Sequence, residues 1–68
     1  MAKIIFNGRE TEISPGEDLL TFLRSRNMAA KNLILDWNGR ILTERDPLET
    51  FSLGDGDTLD LFSMVGGG

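Results

Sequence analysis

Histidine, cysteine and tyrosine are all missing from this 68-residue chain, and their absence bounds the chemistry first. Without cysteine, neither a disulfide nor a thiolate metal site can staple the fold. With none of the three, the usual general bases and nucleophiles are gone. Ser14, Ser25, Ser52 and Ser63 have no activating partner in the pattern, and Lys3 and Lys31 read as solvated cations. An enzyme acting through its own side chains is therefore not expected. Positive charge is also scarce: seven bases stand against eleven acids, for a net charge of −4. Glu44, Asp46, Glu49, Asp55, Asp57 and Asp60 crowd the final third, where only Arg45 opposes them. Such a surface repels phosphate backbones and anionic membranes, and its natural complement is a basic protein surface. Taken singly, most of these acids do no more than keep a small domain soluble. No segment approaches the roughly 20 apolar residues that cross a bilayer. The stretch Met1–Gly8 is too short for a signal peptide, so the expected location is cytoplasmic.

What is present suffices for one small core. The chain is 40% apolar, with four phenylalanines and one tryptophan. A domain this short buries only about 60% of the surface its unfolded chain exposes, so modest stability is expected. Gly54-Asp55-Gly56-Asp57 has the look of a calcium loop, but its spacing fails. With Asp55 as the first ligand, Asp60 falls where the loop needs glycine and Gly66 where it needs a bidentate glutamate.

Lys3–Phe6 and Arg9–Ile13 read as two strands joined at Asn7-Gly8, a pair suited to the positive φ angles of a type I′ hairpin turn. Ile4, Phe6, Thr11 and Ile13 would face inward, and Ser14-Pro15-Gly16 breaks the sheet. Asp18 is the better N-cap for a helix from Leu19 to Arg26. Ser14 with Glu17 also spells a capping box, ranked second because Gly16 would then lie in the first turn. Leu19, Phe22 and Leu23 share a face with Arg26 at its edge, and Asn27 ends the helix. Leu33–Trp37 and Arg40–Leu42 form a second hairpin about Asn38-Gly39, with Trp37 half-buried on the sheet rim. Thr43 to Leu53 has no clean period; Pro47 interrupts it, Leu48, Phe51 and Leu53 offer anchors, and there is room for one helical turn. Gly54-Asp55-Gly56 turns the chain into a last strand, Asp57 to Val65. A helix must cover the apolar face of such a sheet, which gives an α+β domain ordered β-β-α-β-β-β.

Gly66-Gly67-Gly68 follow that strand and are read as the end of the protein. A tail without side chains can enter a channel as narrow as a peptide backbone and carries a carboxylate at its tip. The plainer alternative is a frayed terminus or an expression scar.

Together, Ile4-Ile5-Phe6-Asn7-Gly8, Asp18-Leu19-Leu20-Thr21-Phe22-Leu23, Trp37-Asn38-Gly39, and Gly54-Asp55-Gly56-Asp57 before a strand ending in Val65-Gly66-Gly67-Gly68 resemble the ThiS-type sulfur carriers along essentially the whole chain. The resemblance implies a ubiquitin-like β-grasp domain over residues 1–65, a mixed sheet on one main helix with first and last strands parallel at its centre, and a glycine tail at 66–68. It implies no bound cofactor. A ThiF-like E1-type adenylating enzyme would use ATP and Mg²⁺ to convert the Gly68 carboxylate to an acyl-adenylate. A cysteine desulfurase or rhodanese-type donor would then supply sulfur for a thiocarboxylate, which thiazole synthase would consume in thiamine biosynthesis. Gly66 and Gly67 would let the backbone approach the nucleotide; Gly66 is a third glycine where the family keeps only the final pair constant.

Alternation along the last strand turns Leu59 and Leu61 inward and Asp60, Phe62 and Met64 outward, while Leu33 and Leu35 face in and Ile34 out. Ile34, Phe62 and Met64, with Asp60 beside them, are then the candidate partner-binding surface. Exposed hydrophobes standing singly would need no such explanation. Other readings stay open: a carrier for another pathway (a MoaD-like molybdopterin synthase subunit, or cysteine or methionine synthesis), a ubiquitin-like modifier, or a binding module with an inert tail.

Overall fold

The computed structural model describes residues 2–64; Met1, Val65 and the Gly66, Gly67 and Gly68 tail lie outside the described residues. The elements follow the expected order: β1 (Ala2–Phe6), β2 (Arg9–Ile13), α1 (Leu19–Ser25), β3 (Leu33–Trp37), β4 (Arg40–Thr43), one 3₁₀ turn (Leu48–Thr50) and β5 (Thr58–Ser63). Both hairpins turn where the Asn-Gly pairs stand, with Asn7 and Gly8 at φ 48° and 83° and Asn38 and Gly39 at 53° and 86°. These are the paired left-handed conformations that match the twist of antiparallel strands.

Asp18 caps α1 through its carboxylate, which accepts from the Thr21 N–H at 2.9 Å and the Thr21 hydroxyl at 2.6 Å. The Ser14–Glu17 pair serves a turn instead of the helix. Glu17 N–H donates to the Ser14 carbonyl at 3.0 Å, its carboxylate accepts the Ser14 N–H at 3.0 Å, and Gly16 lies at φ 79° between them. At the other end Asn27, at φ 58°, donates to Arg24, while Met28 N–H reaches the Leu23 carbonyl at 2.9 Å. That is a Schellman closure with asparagine in the left-handed position. The helix stops at Ser25, and Arg26 folds its guanidinium over the Phe22 ring, 4.8 Å from the centroid.

Five strands form one sheet in the order β2-β1-β5-β3-β4. β1 and β5 run parallel at its centre, as the resemblance implied, and every other pairing is antiparallel. Ile4, Ile13, Leu35, Leu42 and Leu59 bury against Leu19, Phe22 and Leu23 of the helix. Phe6 meets Phe22 edge-on, with centroids 5.0 Å apart. The aperiodic stretch is tied down at its C-terminal end: Leu19 N–H donates to the Phe51 carbonyl and Leu53 N–H to that of Glu17, while Leu48 and Leu53 sink into the core. β5 starts one residue later than the sequence pattern implied, because Asp57 closes a turn. Its N–H donates to the Gly54 carbonyl at 3.0 Å and its carboxylate accepts the Gly54 N–H at 2.8 Å. The expected final residue of that strand, Val65, lies outside the described residues.

Candidate functional site

The candidate site is the sheet face turned away from the helix, centred on β5. That strand is paired along part of its length by β1 and β3, and beyond β1 it is held by a side chain. Asn7 N–H donates to the Leu59 carbonyl at 2.9 Å, and the Asn7 amide oxygen accepts the Leu61 N–H at 2.9 Å. β1 has ended by then, so the turn residue supplies the acceptor that the next strand residue would have supplied. Asn38 does the same at the start of β5, where its side-chain oxygen accepts the Thr58 N–H at 2.9 Å while its own N–H donates to the Thr58 carbonyl. The asparagines of both hairpin turns thus extend the ladder of the one strand that leads to the glycines.

Asp57 fixes the entry to β5. It accepts the Trp37 indole N–H at 3.0 Å, and Trp37 leans on Phe51 with centroids 5.5 Å apart. Burial pushes the Asp57 carboxyl up, but the donors from Gly54, Trp37 and Asn38 outweigh it and hold the group below the ordinary carboxylate range. Asp55 accepts the Lys3 N–H at 2.8 Å, and Gly56 N–H donates to the Lys3 carbonyl at 2.7 Å, so the same loop stitches the parallel strands together.

The side chains expected to form the patch do share this face. Ile34 lies directly opposite Phe62, and Asp36 directly opposite Asp60, across the β3–β5 ladder. Phe62 is 55% exposed and Met64 47%. Ile34 is half-buried between Phe62 and its β4 neighbour Thr43, and Asp60 is half-buried too. Leu59 and Leu61 turn inward as alternation required. A small cleft of about 330 Å³ lined by Thr43, Glu44 and Arg45 borders Met64. The face holds more than the expected four residues. Ile41, at 60% exposure, stands opposite Asp36 on β4 and is more open than either Phe62 or Met64. The alternation Arg40-Ile41-Leu42, with Leu42 inward, would have revealed it. Asp36 gives one oxygen to the Gly39 N–H at 2.9 Å. Among the described residues the only ion pair is Lys3–Glu10 at 3.9 Å, so no cation answers Asp36 or Asp60. Like charges directly opposite on a sheet face are destabilising. Gly66, Gly67 and Gly68, expected to carry the reacting end, lie outside the described residues.

No protein-family model and no curated protein sequence matches the chain. Among solved structures, it is similar to a thiamine biosynthesis protein (ThiS) from Geobacter metallireducens. The two share 20% sequence identity and superpose with a TM-score of 0.81 over 97% of this chain and 99% of that one. The chain thus has the ubiquitin-like β-grasp fold of that protein, a five-stranded mixed sheet carrying one α-helix.

Proposed function

We propose that the chain is a sulfur carrier of thiamine thiazole biosynthesis whose C-terminal Gly68 is the reacting group. The observation that carries this reading is the near end-to-end fold likeness to a protein named for thiamine biosynthesis, joined to a sequence in which Gly66-Gly67-Gly68 follow the central strand. Met64, at the edge of the outer face, is four residues from Gly68. Fully extended, four residues span at most about 14 Å. An enzyme docked on Phe62 and Met64 is therefore within reach of the carboxylate.

The division of labour follows from the residue types. A carboxylate is a poor acyl donor until it bears a good leaving group. Gly68 would attack the α-phosphorus of ATP in a ThiF-like adenylating enzyme, releasing pyrophosphate, with Mg²⁺ and ATP belonging to that enzyme. The terminal sulfur of a persulfide on a cysteine desulfurase or rhodanese-type donor would displace AMP. A second thiol of the partner enzymes would cleave the resulting acyl disulfide, freeing the thiocarboxylate and leaving a disulfide behind. Thiazole synthase would take the sulfur from the thiocarboxylate. Gly66 and Gly67 present no Cβ to the walls of the enzyme channel. The chain itself contributes a handle and a docking face, here Ile34, Phe62, Met64 and Asp60.

Intact-mass measurement tests this. After incubation with the adenylating enzyme, ATP and a sulfur donor, the full chain should gain roughly 16 Da as oxygen is exchanged for sulfur by acyl substitution. A ladder of lysine conjugates would assign it to protein modifiers instead, and an unchanged mass would leave only a binding module.

A further inference from the structure

The outer sheet face carries a feature that an apolar docking patch does not need. Two aspartates, Asp36 and Asp60, are paired across adjacent strands on the outer face, at the roughly 5.5 Å Cα spacing of a hydrogen-bonded antiparallel pair. Apolar side chains stand around them. Ile34 and Phe62 form the next outward row, Met64 lies beyond, and Ile41 flanks Asp36 from β4. Asp36 uses one oxygen on the Gly39 N–H, and the Asp60 carboxylate is without a partner among the described residues.

We propose that this face docks a protein partner that seats an arginine between Asp36 and Asp60, ringed by apolar residues which cover Ile41, Phe62 and Met64. The proposal rests on the carrier reading and names the chemistry of the surface its activating enzyme must present. Charge complementarity selects the occupant. A guanidinium is planar, offers several donors in a fixed fork and is weakly hydrated, so it can bridge two carboxylates inside an apolar ring. A lysine ammonium is a strongly hydrated point charge and fits that ring less well. A second copy of this chain is disfavoured, because two faces together would bring both acid pairs into one interface on molecules that each carry a net charge of −4. The acid pair would also explain why a destabilising juxtaposition stands where alternation offers any polar residue: bound, it is neutralised; free, it steers a basic surface toward the tail.

The test compares the full chain with its Asp36→Asn/Asp60→Asn double variant and with Ile41→Ala. The probe is the ThiF-like adenylating enzyme of the same organism. Binding is measured by calorimetry at about 50 and 300 mM salt, where screening differs strongly, with ATP–pyrophosphate exchange recorded in parallel. The double variant should bind about 10- to 100-fold more weakly at low salt and lose most of the salt dependence. Its thermal midpoint should hold or rise, since a repulsion has been removed; a merely structural pair would lower both together. Ile41→Ala should weaken binding by about 5- to 10-fold at either salt concentration, in proportion to apolar area withdrawn. Unchanged affinity and salt slope in the double variant would overturn the arginine seat. Absence of wild-type binding at low salt, or a dimer in sedimentation that Ile41→Lys dissolves, would overturn the docking assignment as well. Binding without pyrophosphate exchange would instead sink the carrier reading while leaving the docking face standing.

Discussion

Asn7 offers the most direct test of how β5 is held. Its amide oxygen accepts the Leu61 N–H at 2.9 Å, a contact across 54 residues of sequence, at the point where β1 has no further residue to offer. Replacing Asn7 with Gly keeps a residue able to adopt φ 48° but deletes the acceptor. The lost hydrogen bond is worth about 0.5–1.5 kcal/mol. Greater freedom of glycine in the unfolded chain costs about 0.4–1 kcal/mol, and relief of Cβ strain at this left-handed position returns about as much, as at Asn27. The hydrogen bond then sets the net loss at roughly 0.5–1.5 kcal/mol, which in a domain of this size lowers the melting midpoint by about 2–12 °C. Asn7→Asp is the control: it retains a turn-compatible residue and a side-chain oxygen, and should stay within about 0.5 kcal/mol of the parent. Urea unfolding followed by Trp37 fluorescence gives the stabilities, and amide exchange gives the location. In Asn7→Gly the Leu61 amide should exchange faster than the global loss of stability alone accounts for, while Leu35 and Leu59 follow the global change. Equal destabilisation of the Asp and Gly variants, or a Leu61 amide as protected as its neighbours, would refute the idea that this side chain stands in for a strand residue.

Asn27→Gly should act in the opposite direction, stabilising by about 0.5–1 kcal/mol, because a left-handed C′ position strains any residue with a Cβ; a rise of a few degrees in the calorimetric midpoint is the expected result. Acid should weaken the domain. The Asp18 carboxyl, held down chiefly by the Thr21 hydroxyl and N–H, and that of Asp57 both lie lower in the folded chain than the ordinary value of about 3.9. Their contribution is therefore present above about pH 4 and is lost as the pH falls through the folded values, since protonation then favours the unfolded state. Urea midpoints should be flat from about pH 7 to 5 and drop below about pH 4, with a shallower drop in Asp57→Asn. Phe62→Asp should raise the KM for adenylation at least about tenfold without lowering the melting midpoint, given a ring that is 55% exposed. Collapse of folding would mean that Phe62 is a core residue.

Local chemistry in the sequence was enough to place the turns, the helix cap and the inward and outward sides of the strands. Asn-Gly pairs mark hairpins because few other residues accept two consecutive positive φ angles, and Asp18 and Asn27 bound a helix for equally local reasons. Pairing partners are another matter. The parallel joining of β1 to β5 links the two ends of the chain, and no local period records which distant strand a strand will meet; only the family resemblance implied it. The same limit hid the roles of Asn7 and Asn38 on β5. Their turn propensity is visible in the sequence, but the distant N–H groups of Leu61 and Thr58 are not. The stretch from Thr43 to Leu53 had no readable period because backbone bonds to Glu17 and Leu19, not side-chain alternation, set its path. Ile41 is legible in the alternation of Arg40-Ile41-Leu42. Asp36 became part of the site only once the β3–β5 register set it against Asp60.

On the carrier reading proposed above, the distribution of order in this domain would serve positioning. Leu59, the second residue of β5, is fully buried on the inner face, while Phe62 on the outer face is more than half exposed. One strand thus presents a core face and an outer face, and between these two residues lies Leu61, whose N–H is held by Asn7 in place of a backbone partner. If β5 frayed there, Phe62 and Met64 would move together, and the enzyme of the proposed reading would lose a fixed face to grip. An acid pair and an exposed phenylalanine each lower the stability of a small sheet. Asp60 and Phe62 occur on the strand that the hairpin asparagines hold in place, where, on that reading, rigidity would convert docking energy into alignment of the reacting end.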